Sequence, residues 1–273
     1  MMKGRYRHII VMTALAVLFF AQPAMAQRRK PMNMPTYDEA LYHFGFLVAY
    51  NQMQYAMTCV KDYQMIGHEP YEWPSNPNPD AVVYLLDVTS PSVPGFTVGI
   101  VGNLRLGKYF DLRFVPSLSF GERKLDYTLK TSRVIGPDEV VVKHFNFMKS
   151  THSTFVEFPF HVKYRALRLN NFSAYLLGGA NFKIDMASQK KNEVEIIIDG
   201  YPTTVVDNIR VKKTDFALEI GTGVDFYTDY FKFGIEVKMS YGLMNILNEE
   251  QMIYSSSIEK LRNKTFQVSF TFE

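Results

Sequence analysis

The chain has 273 residues, of which 47% are hydrophobic and 15% aromatic, and this composition excludes a wholly disordered protein. The formal net charge of +3 equals the three basic residues Lys3, Arg5 and Arg7 at the start of the chain, so the remainder is neutral. A neutral chain gives no reason to propose a nucleic-acid partner, because such a partner would require a concentrated basic face. The single cysteine, Cys59, cannot form an internal disulfide, so the fold does not depend on a disulfide framework.

The first 26 residues have the three parts of a secretory signal peptide. MMKGRYRH is basic, Ile9 to Phe20 is an apolar run, and Ala24-Met25-Ala26 is the small-residue pattern that signal peptidases cleave. About a dozen apolar residues are fewer than the roughly 20 that a membrane-spanning helix needs. The sequence therefore predicts that residues 1–26 are a cleaved signal peptide.

Eight later segments alternate between apolar residues and small, polar or charged ones, which is the pattern of β-strands. In STFVEFPFHVKY, for example, Val156, Phe158, Phe160 and Val162 share one face, and the charged residues lie on the other. Aromatic residues stand near most segment ends, as they do at the two interfaces of a membrane barrel. The eight segments are residues 42–51, 96–104, 110–120, 153–164, 172–184, 216–226, 231–243 and 266–272.

The connections alternate between long and short, with roughly forty, five, thirty, seven, thirty, four and twenty residues as judged from turn and breaker residues. Short turns on one side and long loops on the other are typical of outer-membrane barrels, whose even strand number returns both termini to the periplasm. A lipid-spanning sheet must close, because open edges cannot be satisfied in hydrocarbon. The sequence thus predicts an all-β protein of the outer membrane. A short periplasmic segment at 27–41 precedes an eight-stranded antiparallel transmembrane β-barrel at 42–273, with short periplasmic turns and long extracellular loops.

Charged residues on the inward faces are predicted to form a structural network in the lumen. An eight-stranded barrel is only wide enough for its own side chains, and buried charges persist when they are paired and hydrogen-bonded. The predicted network comprises Arg113, Glu157, His161, Lys163, Glu219, Asp225, Lys232, Glu236 and Lys238.

The sequence does not indicate a catalytic, metal or cofactor site. His152 and Ser153 resemble the serine-histidine pair of a lipid-modifying barrel, but neighbouring strand residues point to opposite faces, and no third group orients the histidine. His68-Glu69 lacks the second histidine of a zinc-protease helix. We therefore expect a protein that is not an enzyme and takes no cofactor and no small-molecule substrate.

The first long loop is the candidate partner-binding segment. It contains the turn-rich stretch WPSNPNPD and then an apolar run, and the candidate contact residues are Trp73, Tyr84, Leu85 and Leu86. An apolar patch in a loop fits a partner-binding surface, but the same run could instead fold over the barrel mouth. The sequence leaves both alternatives open.

Five stretches, in order along the chain, resemble the PorT family of outer-membrane barrels from Bacteroidota. The resemblance implies a component of the type IX protein secretion system, which exports cargo with C-terminal sorting domains and serves gliding motility in relatives. It carries over no catalytic residues. The five stretches are residues 35–52, 111–127, 153–172, 230–243 and 253–273.

A lumen filled with side chains could not pass a folded cargo protein. We therefore expect an accessory or assembly subunit that acts through its loops or outer wall, with outer-membrane lipid and other secretion subunits as partners. One alternative is a closed surface barrel for binding or adhesion. A lipid-modifying enzyme is the third.

Overall fold

A computed structural model describes residues 31–68, 82–134, 140–187, 193–198, 201–206, 211–248 and 257–273. The predicted signal peptide lies outside these ranges, and the barrel belongs to the compact unit Asn33–Glu273. Within the described ranges, the two short 3-10 helices, Tyr37–Glu39 and Tyr63–Met65, lack the length and apolar character needed to cross a bilayer. The described strands are β1 (Tyr42–Cys59), β2 (Gly67–His68), β3 (Val82–Thr89), β4 (Val93–Arg105), β5 (Phe110–Phe114), β6 (Ser117–Val134), β7 (Val140–Arg165), β8 (Phe172–Asp185), β9 (Glu193–Ile198), β10 (Tyr201–Val206), β11 (Thr214–Tyr227), β12 (Lys232–Gly242) and β13 (Ile258–Phe272).

Eight strand positions form a closed antiparallel ring. Going round it, β1 pairs with β13, then follow β12, β11, β8, β7, the combined β5 and β6, and β4, which pairs with β1 again. Closure leaves the ring without an open strand edge, as a membrane-spanning sheet requires. Each of the eight predicted segments lies in one of these positions, so the predicted eight-stranded barrel is confirmed.

Two prolines lie where the combined β5 and β6 position pairs with β7. Pro116 separates β5 from β6, and Pro159 lies opposite on β7, but the register of pairing does not shift. Phe114 of β5 pairs with Phe160, and Ser117 of β6 pairs with Glu157, so the pairing continues in step across the break. The Val115 N–H donates to the Pro159 carbonyl at 3.3 Å, but Pro159 has no N–H to return the bond. The strand is therefore interrupted at Val115 and Pro116, and the proline of β7 causes no bulge.

The short turns and the C-terminus share one end of the barrel, here called the terminal end. The turns at 106–109, 166–171 and 228–231 lie there, and the backbone N–H of Lys232 donates to the Glu273 carbonyl at 2.7 Å. The longer connections leave the opposite end, here called the loop end. This arrangement agrees with the predicted alternation of short turns and long loops.

One of the long loops differs from the prediction. The thirty-residue connection expected after the third segment is mostly a hairpin, in which β6 and β7 pair from Ser117↔Glu157 to Val134↔Val140. The strand β3 covers the outer edge of this hairpin from Thr89↔Asp126 to Val82↔Ser132. The ladder continues past the ring because backbone hydrogen bonding between the two strands does not depend on lipid.

The two faces of the ring have opposite chemistry. Phe160 on the outer face is 52% exposed, whereas its neighbour His161 is 1% exposed. The same alternation runs along β13, where Phe270 and Phe272 are exposed and Ser269 and Thr271 are buried. Apolar side chains therefore meet lipid, and polar side chains fill the lumen.

A matched pair of glycine substitutions tests this assignment of faces. We expect Gly223→Ala to lower the free energy of unfolding by about 1–3 kcal/mol, because the added methyl would overpack the interior. That methyl would lie 2.5 Å from the Tyr175 hydroxyl oxygen. The control Gly102→Ala faces outward, where the nearest atom is 3.5 Å away, and it should change stability little. Urea unfolding followed by fluorescence measures both variants, and equal effects would contradict the assignment.

Candidate functional site

The structure places all nine predicted network residues inside the barrel. Each has a side chain that is buried, and polar contacts join them across the lumen. All nine are 5% exposed or less, namely Arg113, Glu157, His161, Lys163, Glu219, Asp225, Lys232, Glu236 and Lys238.

Glu219 on β11 is the centre of the network. Its carboxylate accepts hydrogen bonds from Lys238 Nζ at 2.8 Å and from Asn181 Nδ2 at 2.7 Å, and His161 Nε2 lies 2.7 Å away. Lys183 Nζ lies 4.0 Å from it and 3.5 Å from Glu157. A carboxylate with this many donors is stabilised in its ionised form inside the barrel.

An ion pair spans the full width of the lumen. Arg113 lies on β5 and Glu236 on β12, which are four positions apart in a ring of eight, and their Nη1 and Oε2 atoms are 2.5 Å apart. The hydroxyl of Tyr175 also donates to Glu236, at 2.9 Å. Two side chains from opposite walls therefore meet in the middle, and the lumen is occupied at this level.

Further ion pairs lie toward the terminal end. Lys163 Nζ donates to Asp225 Oδ2 at 2.8 Å, and Lys232 Nζ donates to Glu273 Oε2 at 2.8 Å. Lys232 also lies 4.0 Å from Asp225. The charges of this layer are thus compensated within the barrel, as buried charges must be.

The sequence interpretation missed several members of the network. Asn181 and Lys183 share the inward face of β8, so the alternation of residues 172–184 contained the signal for them. Arg123 was missed because it lies in the expected loop. It bonds with Asp185 Oδ2 at 2.5 Å and with the Asn263 side chain.

The terminal mouth is covered by residues 33–41, here called the N-terminal strap. Asp38 accepts a hydrogen bond from Arg165 at 2.5 Å and lies 3.5 Å from Arg168. The Asn33 N–H donates to Asn171 Oδ1 at 2.8 Å, and Arg168 donates to the Asn33 carbonyl. These contacts attach the strap to the short turns and strand ends around the mouth.

Tyr37 is the aromatic anchor of the strap. Its ring stacks on His43 with the centroids 3.9 Å apart and meets Tyr227 edge-on at 5.7 Å. Burial raises the pKa of Tyr37 above its ordinary value, so the phenol stays protonated and donates to Glu273 at 3.4 Å. The strap therefore contributes an aromatic side chain and a hydrogen bond to the Lys232–Glu273 ion pair at the terminal end of the network.

An apolar cluster, here called the apolar cap, packs at the loop end. Its members come from β1, β3, β6 and β13 and from the segments before β11 and after β12, so they converge from around the ring. Together with the strap, the cap encloses the polar network from both ends. The cap consists of Tyr55, Val83, Leu85, Val88, Leu125, Tyr127, Leu129, Val211, Ile246, Leu247, Ile258 and Leu261.

The candidate loop residues divide between this cap and the surface. Leu85 is 2% exposed within the cap, whereas Tyr84 and Leu86 are half-buried. Trp73 lies outside the described residues. One face of this apolar run thus packs into the cap, and its other face is partly exposed to solvent.

His152 and Ser153 do not assemble into a catalytic site, and Glu69 of the His68-Glu69 pair lies outside the described residues. His152 is exposed, whereas Ser153 is buried and accepts a hydrogen bond from Arg123 Nε at 2.8 Å. The two side chains point to opposite faces of β7. Within the described ranges no group of three potential metal ligands occurs.

Comparisons with known proteins give a family match and similarities to solved structures. The profile of the family described as "Outer membrane protein beta-barrel domain" matches residues 25–248, which is most of the chain. The solved structure of Neisserial surface protein A is similar, with 10% identity, a TM-score of 0.38 and coverage of 85% of this chain and 97% of that one. Ail, the attachment invasion locus protein of Yersinia pestis, in complex with the heparin analogue sucrose octasulfate, has 12% identity, a TM-score of 0.34 and coverage of 85% and 99%.

A search of curated proteins found no match. The family profile and the closed ring, with its apolar outer wall and polar lumen, together define the class of protein. The chain is an outer-membrane protein, and it belongs to the outer membrane protein beta-barrel domain family.

Proposed function

We propose that this barrel is a non-enzymatic component of the type IX protein secretion system, acting as an accessory or assembly subunit and not as the conduit. The resemblance of five ordered stretches to the PorT family supports the choice of machinery. The observation that carries the accessory role is the Arg113–Glu236 ion pair, which joins opposite walls at 2.5 Å. A lumen occupied in this way leaves no path for a polypeptide cargo.

Deletion of the gene tests the choice of machinery. We expect the deletion strain to retain cargo proteins with C-terminal sorting domains inside the cell, and the wild-type gene on a plasmid to restore their export. Quantification of cargo in culture medium by mass spectrometry measures the effect. Normal export in the deletion strain would refute the proposal.

The exclusion of a conduit role has a separate test. We expect the purified barrel in a planar lipid bilayer to give no large steady current, because ion pairs fill its lumen. A large steady current would refute this part of the proposal and leave the link to secretion intact. The same preparation must show a folded barrel by circular dichroism for the result to count.

A closed surface barrel for binding or adhesion is the second candidate function. It is favoured by the β6–β7 hairpin, which extends beyond the ring at the loop end. This candidate predicts normal cargo export in the deletion strain, together with loss of ligand or surface binding when the hairpin is shortened. The export assay therefore separates the two candidates.

A further inference from the structure

The upper part of β7 has one strand edge that no described strand covers. The strand pairs with β6 along its whole upper length, but it pairs with β8 only between Phe155 and Arg165. Above that point, among the described residues, the only backbone bond recorded to this edge is from the Met186 N–H to the Thr154 carbonyl. The other side of the hairpin differs, because β3 covers the edge of β6. Residues 140–153 of β7 are here called the open edge.

Whether a residue number of β7 is even or odd tells which side of the strand its backbone N–H and C=O groups point to. The Thr154 carbonyl faces the β8 side, and the Pro159 carbonyl faces the side of β5 and β6. Successive residues of an antiparallel strand direct their N–H and C=O groups to alternate sides. No register shift occurs between β6 and β7, so His144, Asn146 and Met148 direct their backbone groups to the open edge.

The open edge is basic and partly apolar. The stretch VVVKHFNFMKST, residues 140–151, contains no acidic residue, and of its two lysines Lys143 is exposed and Lys149 is buried. Lys143 and His144 are exposed, as are Val142 at 43% and Met148 at 60%. A strand laid against this edge would thus meet both positive charge and apolar side chains.

The exposed Lys143 disfavours pairing with a second copy of the chain, because charged residues on exposed edges commonly prevent such self-association. Lys149 is only 7% exposed, so the charge of the open edge comes from Lys143.

We propose that the open edge binds an extended, acidic segment of another protein by β-strand addition. Main-chain hydrogen bonds from His144, Asn146 and Met148 would supply affinity, and the positive charge of Lys143 would select acidic partners. The proposal gives the barrel a contact surface at the loop end, and it does not depend on which machinery the barrel serves.

The chain's own β9–β10 hairpin is the rival occupant. It lies in the neighbouring loop, and its two strands pair with each other from Glu193↔Val206 to Ile198↔Tyr201. In the described ranges neither strand is hydrogen-bonded to β7. Amide hydrogen exchange on the full-length protein distinguishes this rival from a free edge.

The test uses the purified full-length barrel in detergent micelles and a fluorescent nine-residue peptide of alternating valine and glutamate. Without peptide, we expect fast exchange at the amides of His144, Asn146 and Met148 and slow exchange at the odd-numbered amides bonded to β6. With peptide, the even-numbered amides should become protected. Protection without peptide would show that the chain covers its own edge, and it would refute the proposal.

Two variants at one position isolate the backbone contribution. Asn146→Pro removes an N–H from the open edge without removing a bond to β6, and it should weaken peptide binding by about tenfold or more. Asn146→Ala keeps the N–H and should bind within about twofold of the wild type. Equal binding by the proline and alanine variants would contradict strand addition.

Charge reversal provides an independent variant if the proline variant does not fold. Lys143→Glu should weaken binding of the glutamate peptide and strengthen binding of a matching peptide in which lysine replaces glutamate. Unchanged preference between the two peptides would contradict selection of acidic segments.

Discussion

Replacing Glu219 by glutamine is expected to lower the free energy of unfolding by about 3–5 kcal/mol, the cost of removing one partner from a buried ion pair. Lys238 Nζ lies 2.8 Å from this carboxylate with its side chain 5% exposed, so it cannot reach bulk water for compensation. Lys183 loses part of its charge compensation as well, and His161 loses an ionised hydrogen-bond partner. Glutamine has almost the same shape as glutamate, so the effect reports charge and not a cavity.

The matched control is Glu259→Gln. Glu259 pairs with Lys260 at 3.1 Å, but both side chains are about half exposed, so the pair is screened by water and is expected to contribute less than about 1 kcal/mol. Urea titration of both variants in the same micelle or bilayer measures the difference. Similar small losses for the two variants would show that the lumen charges are hydrated, contrary to the filled interior described above.

Glu157→Gln should give an intermediate result. Glu157 accepts a hydrogen bond from Asn181 at 2.9 Å, but its lysine partner Lys183 is 3.5 Å away and shared with Glu219. Glutamine can keep the amide contact, and Lys183 retains a second carboxylate nearby. The expected order of stability loss is Glu219, then Glu157, then Glu259. Glu219 has two lysines within 4.0 Å, Glu157 has one in the buried interior, and Glu259 has one at the exposed surface.

The ring of strands was predictable because its signal is local. Within the membrane, alternate residues such as Leu118 and Phe120 are apolar and face outward, so the period of two marks each strand directly. The same alternation assigns Glu157 and His161 to the lumen. Their partners were not predictable, because contacts such as Arg113–Glu236 depend on how the ring closes and not on any neighbouring sequence.

The β6–β7 hairpin was missed because its alternation changes phase. Above the membrane the solvent lies outside and the apolar cap lies inside, so Leu125 and Leu129 face inward and the outward positions of β6 are polar. The apolar residues of β6 therefore move from even to odd positions between Phe120 and Leu125. A search for an apolar outer face reads such a segment as a loop, although the strand continues.

The N-terminal strap was predicted only as a short periplasmic segment. Asp38 is an unremarkable acidic residue in the sequence, and its role depends on two arginines more than 120 residues away in the chain. No local pattern relates them. The closure of the terminal mouth is thus a property of the assembled barrel, and it can be tested by separating the strap from those arginines.

Asp38→Lys is expected to release the strap from the terminal mouth. The substitution removes the acceptor that Arg165 bonds at 2.5 Å and places a third cation beside Arg165 and Arg168. A strap held by fewer contacts opens more often, and proteolysis of an opened segment follows its opening free energy. Cleavage by chymotrypsin after Tyr37 should therefore accelerate by about tenfold or more, which corresponds to a loss of about 1.4 kcal/mol or more.

The control is Glu39→Lys, which makes the same change of charge at the next residue. Glu39 is exposed, so its replacement leaves the contacts of Asp38 in place. We expect the rate of cleavage after Tyr37 in this variant to stay near that of the wild type, and both variants should keep the electrophoretic mobility of a folded barrel. If the two variants were cleaved equally fast, the added charge alone would explain the result. If neither were cleaved faster than the wild type, the strap would be held by its aromatic anchor, Tyr37, and not by the ion pairs of Asp38.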